Sequence, residues 1–110
     1  MKTTQMEEQL FNEIGQQLGQ QHGTTAGQMF GKPCLKTENK AFAAFHKGDM
    51  VFKLGQQEIK LLLEKYLGSE NWDPSGKKRP MKDWLQVSSA FKDEWMDLAK
   101  QALNFVEENK

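Results

Sequence analysis

The stretch Lys40-Ala41-Phe42-Ala43-Ala44-Phe45-His46-Lys47-Gly48-Asp49-Met50-Val51-Phe52-Lys53-Leu54 decides the fold. Successive side chains of a strand point to opposite faces. Residues 41–46 suit a strand with Phe42, Ala44 and His46 on one face and Ala41, Ala43 and Phe45 on the other. Residues 50–54 alternate cleanly, which turns Met50, Phe52 and Leu54 inward. Lys47-Gly48-Asp49 between them reads as a tight hairpin. Upstream, Cys34-Leu35-Lys36-Thr37 forms a shorter strand, joined through Glu38-Asn39. The result is a three-stranded meander, which Gln28-Met29-Phe30 extends at its start.

Helical periods flank this meander. Met6, Leu10, Ile14 and Leu18, with Phe11 beside them, predict an amphipathic helix over residues 4–22. Thr4 and Glu7 fit a capping box, and Gly15 and Gly19, one turn apart, predict close packing on that helix. Residues 56–67 carry a full apolar stripe, Ile59, Leu62, Leu63, Tyr66 and Leu67, ended by Gly68. Trp72-Asp73-Pro74-Ser75-Gly76 is a turn. Residues 81–87 read as a strand with Met81, Leu85 and Val87 on one side and Trp84 on the other. The last helix covers residues 89–108 with Phe91, Trp95, Leu98, Ala102, Phe105 and Val106 inward, capped by Ser88 or Ser89. Strands clustered between helices argue an α+β class with an antiparallel sheet, in the order α, three strands, α, one or two strands, α.

A chain of 110 residues is expected to form a single domain spanning 1–110. Its 15 basic and 15 acidic side chains cancel, which excludes a uniformly basic nucleic-acid coat. Three Trp, one Tyr and seven Phe give it the material for a core, despite a mean hydropathy of -0.76. No apolar run reaches membrane-spanning length, the first residues lack a signal-peptide pattern, and Cys34 is the only cysteine. These features lead us to expect a cytoplasmic protein.

His22, Cys34 and His46 are the candidate metal ligands, and no two lie at zinc-ligand spacing, so no metal or other cofactor is expected. Cys34 and His46 sit on neighbouring strands and could form a nucleophile–base pair, but no third group orients them. Ser75-Gly76-Lys77-Lys78 lacks the leading glycine and the Ser/Thr of a phosphate-binding P-loop. The residues therefore point away from an enzyme. The charge that stands out is local: Lys77, Lys78, Arg79 and Lys82 lie within six residues, between Trp72 and Trp84. Cations beside aromatic rings can hold a phosphate backbone and stack on bases. Residues 88–110, with 3 basic and 5 acidic side chains, offset this cluster.

The segments Met29-Phe30-Gly31, Lys40-Ala41-Phe42-Ala43 and Met50-Val51-Phe52-Lys53-Leu54 carry a family likeness. Gly76-Lys77-Lys78-Arg79-Pro80-Met81, followed by Trp84 and Val87, carries it further. Together they resemble the N-terminal domain of the TfoX (Sxy) competence-regulator family, in matching order over about residues 8–106. Here Lys32-Pro33-Cys34 stands where that family continues with glycines. The resemblance implies a secretion-chaperone-like α+β fold in the order α-β-β-β-α-β-β-α, similar to that of YjbR-like proteins, and supplies no catalytic residues. It leads us to expect a non-catalytic binding or regulatory domain. Its surface would be formed by Lys77, Lys78, Arg79, Lys82 and Trp84, with Lys32 and Lys36 joining if they share that face. The expected partner is a protein or a second copy of the chain, with nucleic acid as the other candidate and no membrane. The alternative is a small-molecule or enzymatic pocket near Cys34 and His46.

Overall fold

The computed structural model describes residues 3–75, 77, 78 and 80–109, with side chains from residue 6. Helix α1 (Thr3–His22) leads into four strands, β1 (Thr25–Met29), β2 (Lys32–Thr37), β3 (Lys40–His46) and β4 (Asp49–Lys53). Helix α2 (Gln56–Lys65), β5 (Glu70–Trp72), β6 (Met81–Val87), a 3₁₀ turn (Ser89–Glu94) and α3 (Trp95–Glu108) follow. The strands form one antiparallel sheet in the order β1-β2-β3-β4-β6-β5. The fold class is α+β, as expected. Among the described residues, no helix is long and apolar enough to cross a membrane.

Three two-residue turns build the first four strands. Phe30-Gly31, Glu38-Asn39 and Lys47-Gly48 each join paired strands, and all six residues have positive φ. That is the geometry whose twist matches the twist of a hairpin. The meander therefore has one strand more than expected. Gln28-Met29-Phe30 does not lengthen β2, because the chain reverses at Phe30 and β1 pairs back against it.

A bulge corrects the predicted faces of β3. Lys36 pairs with Ala41 and Leu35 with Ala43, so Phe42 is the extra residue and the alternation changes phase there. Phe42, Ala43 and Phe45 face the helices with Leu35, Met50, Phe52, Leu54, Leu85 and Val87. Ala41 and Ala44 face the other way. A second irregularity corrects β6. Asn71 pairs with Leu85 but Trp72 pairs with Met81. Asn71 Nδ2 bridges the mismatch by donating to the carbonyls of Lys82 and Trp84, each at 3.2 Å. Met81 thus packs with Trp84 rather than with Leu85 and Val87.

The helices cover one face. Phe11, Ile14 and Leu18 of α1, Ile59 and Leu62 of α2, and Trp95, Leu98, Ala102 and Val106 of α3 are buried there. A Cβ on Gly15 would lie 2.9 Å from Leu35, which is the close approach its small size predicted. Met6 and Leu67 were expected on apolar stripes but are exposed, because α2 ends at Lys65 and Met6 overhangs the core. Glu7 is buried and lies 3.6 Å from Lys92, while the proposed Thr4 cap falls outside the described side chains. The last helix is also broken. Ser88 Oγ accepts from Ala90 N, Phe91 leaves helical geometry, and its ring packs edge-on against Tyr66.

Candidate nucleic-acid interface

The outer face of the sheet, away from the helices, carries its own small core: Cys34, Ala44, Val51, Trp72 and Trp84, edged by Met29, Ala41 and Met81. These residues span β1 to β5, so the sheet curls until its two ends meet over this face. Trp72 is the centre of the closure. It is fully buried, though it ends a three-residue edge strand. Its indole packs against Trp84 at 5.2 Å, His46 at 5.9 Å and Phe30 at 6.0 Å between ring centroids.

Beside His46 lies a cavity of about 510 Å³. It is lined by His46 and Lys47 of the β3–β4 hairpin, Glu70 and Asn71 of β5, Lys78 of the β5–β6 loop, and Gln86 of β6, with Asp73 and Pro80 at its margin. Local hydrogen bonds shape the loop. Ser75 N and Oγ both donate to Asp73 Oδ1, at 3.2 and 2.7 Å, and Lys77 N donates to Ser75 Oγ at 3.1 Å. Asp49 accepts from Gln86 Nε2 at 2.9 Å and Ser89 N at 3.2 Å, which fixes the base of the hairpin.

His46 is only 6% exposed, and its Nδ1 has no hydrogen-bond partner. Burial pushes its pKa below the ordinary 6.5, and Lys32 and Lys47 push it the same way against Asp49. The ring is therefore neutral at pH 7. Trp72 Nε1 is likewise buried without a partner. A buried unpaired polar group costs about 1–3 kcal/mol, so its presence calls for a reason.

The sequence-predicted residues are distributed unevenly about this site. Lys77, Lys78 and Lys82 are exposed, and Lys78 reaches the cavity. Arg79 lies outside the described residues. Trp84 is 4% exposed, so the expectation that it stacks on a base is corrected: it is core beneath the basic loop. Lys32 and Lys47 join the loop lysines through the hairpin tips, whereas the stem of Lys36 lies over Gly27. Cys34 is fully buried, does not line the cavity, and burial raises its thiol above the usual value of 9.0 against the pull of Lys36. A protonated, buried thiol is a poor nucleophile. No cluster of three or more His, Cys, Asp or Glu among the described residues could hold a metal.

Two residues here escape the sequence reading, Phe30 as an exposed ring and Lys47 as a cation of the site, while Lys32 was expected there only if it shared that face. Phe30 is 63% exposed and holds φ at 53°. Lys47 and Lys78 hold φ at 51° and 59°. This left-handed region disfavours bulky L-residues, and such outliers gather at functional sites. The available signal was the X-Gly dipeptide between strands, where Asn or Asp is the usual first residue. Comparison with known protein families, curated proteins and solved structures finds no match.

Proposed function

We propose that the chain is a non-catalytic domain that binds single-stranded nucleic acid across its outer face. One observation carries this reading: Lys47 and Lys78, far apart in sequence, line one cavity with His46, whose imidazole also feels the charge of Lys32, and the exposed ring of Phe30 packs on the same indole as His46. Single-strand binders combine a cationic track for phosphates with aromatic platforms for bases. Lys77 and Lys82 extend the cationic track from the cavity. The resemblance to the TfoX N-terminal domain adds the expectation of a binding or regulatory role.

The test is fluorescence anisotropy with labelled single- and double-stranded DNA at about 50 mM salt, a condition that favours phosphate contacts. The single strand binds the wild type and binds a Lys47→Asn/Lys78→Gly variant much more weakly. Both substitutions suit left-handed backbone, so the fold is retained. Absence of binding by the wild type overturns the reading.

A second reading is favoured by β1. Its five residues, Thr25–Met29, form a free sheet edge without a charge or a proline. Such an edge is a template for pairing with a copy of itself. Light scattering that returns a dimer mass, and a monomer mass for Gln28→Pro, would support self-association.

A further inference from the structure

We propose that the His46 cavity is a receptor for the terminal phosphate of a nucleic-acid strand, a phosphomonoester held between Lys47, Lys78 and His46. This inference rests on the nucleic-acid reading above and names the group that occupies the cavity.

The cavity is concave and its lining is almost wholly polar. A phosphodiester inside a strand must enter and leave such a hollow, whereas a strand end enters once. A phosphomonoester also carries about 1.5 to 2 negative charges at pH 7, more than the single charge of a diester. Lys47 and Lys78 on the wall, with Lys32 within electrostatic reach of the same imidazole, supply three cations against the carboxylates of Glu70 and Asp73. His46 contributes a neutral donor. A neutral imidazole carries one N–H, and the buried Nδ1 has no hydrogen-bond partner within the described residues. Glu70 sets a limit on the other side, since its carboxylate disfavours a second phosphate. Asp73 is engaged by Ser75 and competes less. Phe30 and His46 pack against the same indole, so a strand whose end phosphate enters the cavity has neighbouring bases beside the exposed phenyl ring.

Four probes test this by anisotropy or competition at one low salt concentration. They are one single-stranded oligonucleotide with a 5′-phosphate, with a 3′-phosphate or with hydroxyls at both ends, and deoxyadenosine 5′-monophosphate. One of the phosphorylated strands binds about tenfold tighter than the hydroxyl strand. Lys78→Gly weakens binding of every strand and abolishes that preference. Equal binding of all three strands overturns the receptor and leaves the nucleic-acid reading standing; binding of none overturns both. A preference that survives Lys78→Gly and Lys47→Asn places the phosphate elsewhere and overturns the assignment. The assignment to a strand end also fails if the mononucleotide competes as well as the phosphorylated strand.

Discussion

Phe30→Asn separates a functional ring from a structural one. The phenyl sits at the first position of a two-residue turn with φ at 53°, followed by Gly31 at 73°. Left-handed backbone costs a bulky L-residue about 1–2 kcal/mol, and Asn tolerates it far better. Against that relief stands the loss of the edge contact with Trp72 at 6.0 Å, worth about 0.5–1.5 kcal/mol for an aromatic pair. The ring is 63% exposed, so little further burial is lost. The two effects nearly cancel, and stability should change by less than about 1 kcal/mol. Binding should not be spared. Stacking of one base on an aromatic side chain contributes about 1–3 kcal/mol, so affinity for a single strand should fall about 5- to 150-fold. Urea denaturation followed by tryptophan fluorescence reads the first quantity, since Trp72, Trp84 and Trp95 are all buried. Anisotropy reads the second, with Phe30→Tyr as the ring-retaining control. A stability loss above about 2 kcal/mol, more than an aromatic pair accounts for, would show that the phenyl is a lid over Trp72. Unchanged affinity would show that it stacks on nothing.

Three further outcomes follow from the packing and the titrating groups. Gly55 has φ at 85°, and a Cβ there would lie 2.6 Å from Phe105 Cε1, whereas Gly68 at 91° has open space around it. Gly55→Ala should therefore cost about 2–4 kcal/mol in urea denaturation, against about 1 for Gly68→Ala, and equal losses would refute the clash. Burial, then the hydrogen bond to Glu94 at 2.9 Å and the charges of Glu94 and Asp97, push the Tyr66 hydroxyl up to about 12. Below pH 10 both folded and unfolded chains keep this proton. Between pH 10 and 12 the unfolded chain loses it first, so stability falls. Denaturation at pH 9, 10 and 11 should show a steeper fall in the wild type than in Tyr66→Phe, and parallel curves would contradict this. Cys34, buried with its thiol held protonated, should react with iodoacetamide at least about a hundredfold more slowly in the native protein than in urea, because reaction waits on opening. Fast native labelling would place it at the surface.

The alternation of Met50, Phe52 and Leu54 survives unchanged into the structure, because β4 is central, regular and packed against helices on one side. β3 lies beside it yet its faces were misread, since one inserted residue at Phe42 reverses every later position and leaves no mark on an all-apolar run. β1 was nearly invisible for a different reason. It is an edge strand of mostly exposed small and polar residues, so burial imposes no period on it. The basic loop was legible as a local run of charge, and its tryptophans turned inward because the outer face needs a core where no helix covers it. Lys47 and Phe30 are not legible as partners of that loop, and Lys32 is legible only as a candidate for the same face. The curl of the sheet brings them together, and curl depends on long-range pairing that no local pattern records.

The most direct measurement is the salt dependence of single-strand binding. Log affinity falls with log salt by about 0.7 for each phosphate neutralised on a single strand. With Lys32, Lys47, Lys77, Lys78 and Lys82 engaged, the slope should be about −3.5, and Lys47→Asn should reduce its magnitude by about 0.7. A slope near zero, or one that neither Lys47→Asn nor Lys78→Gly alters, would contradict the account.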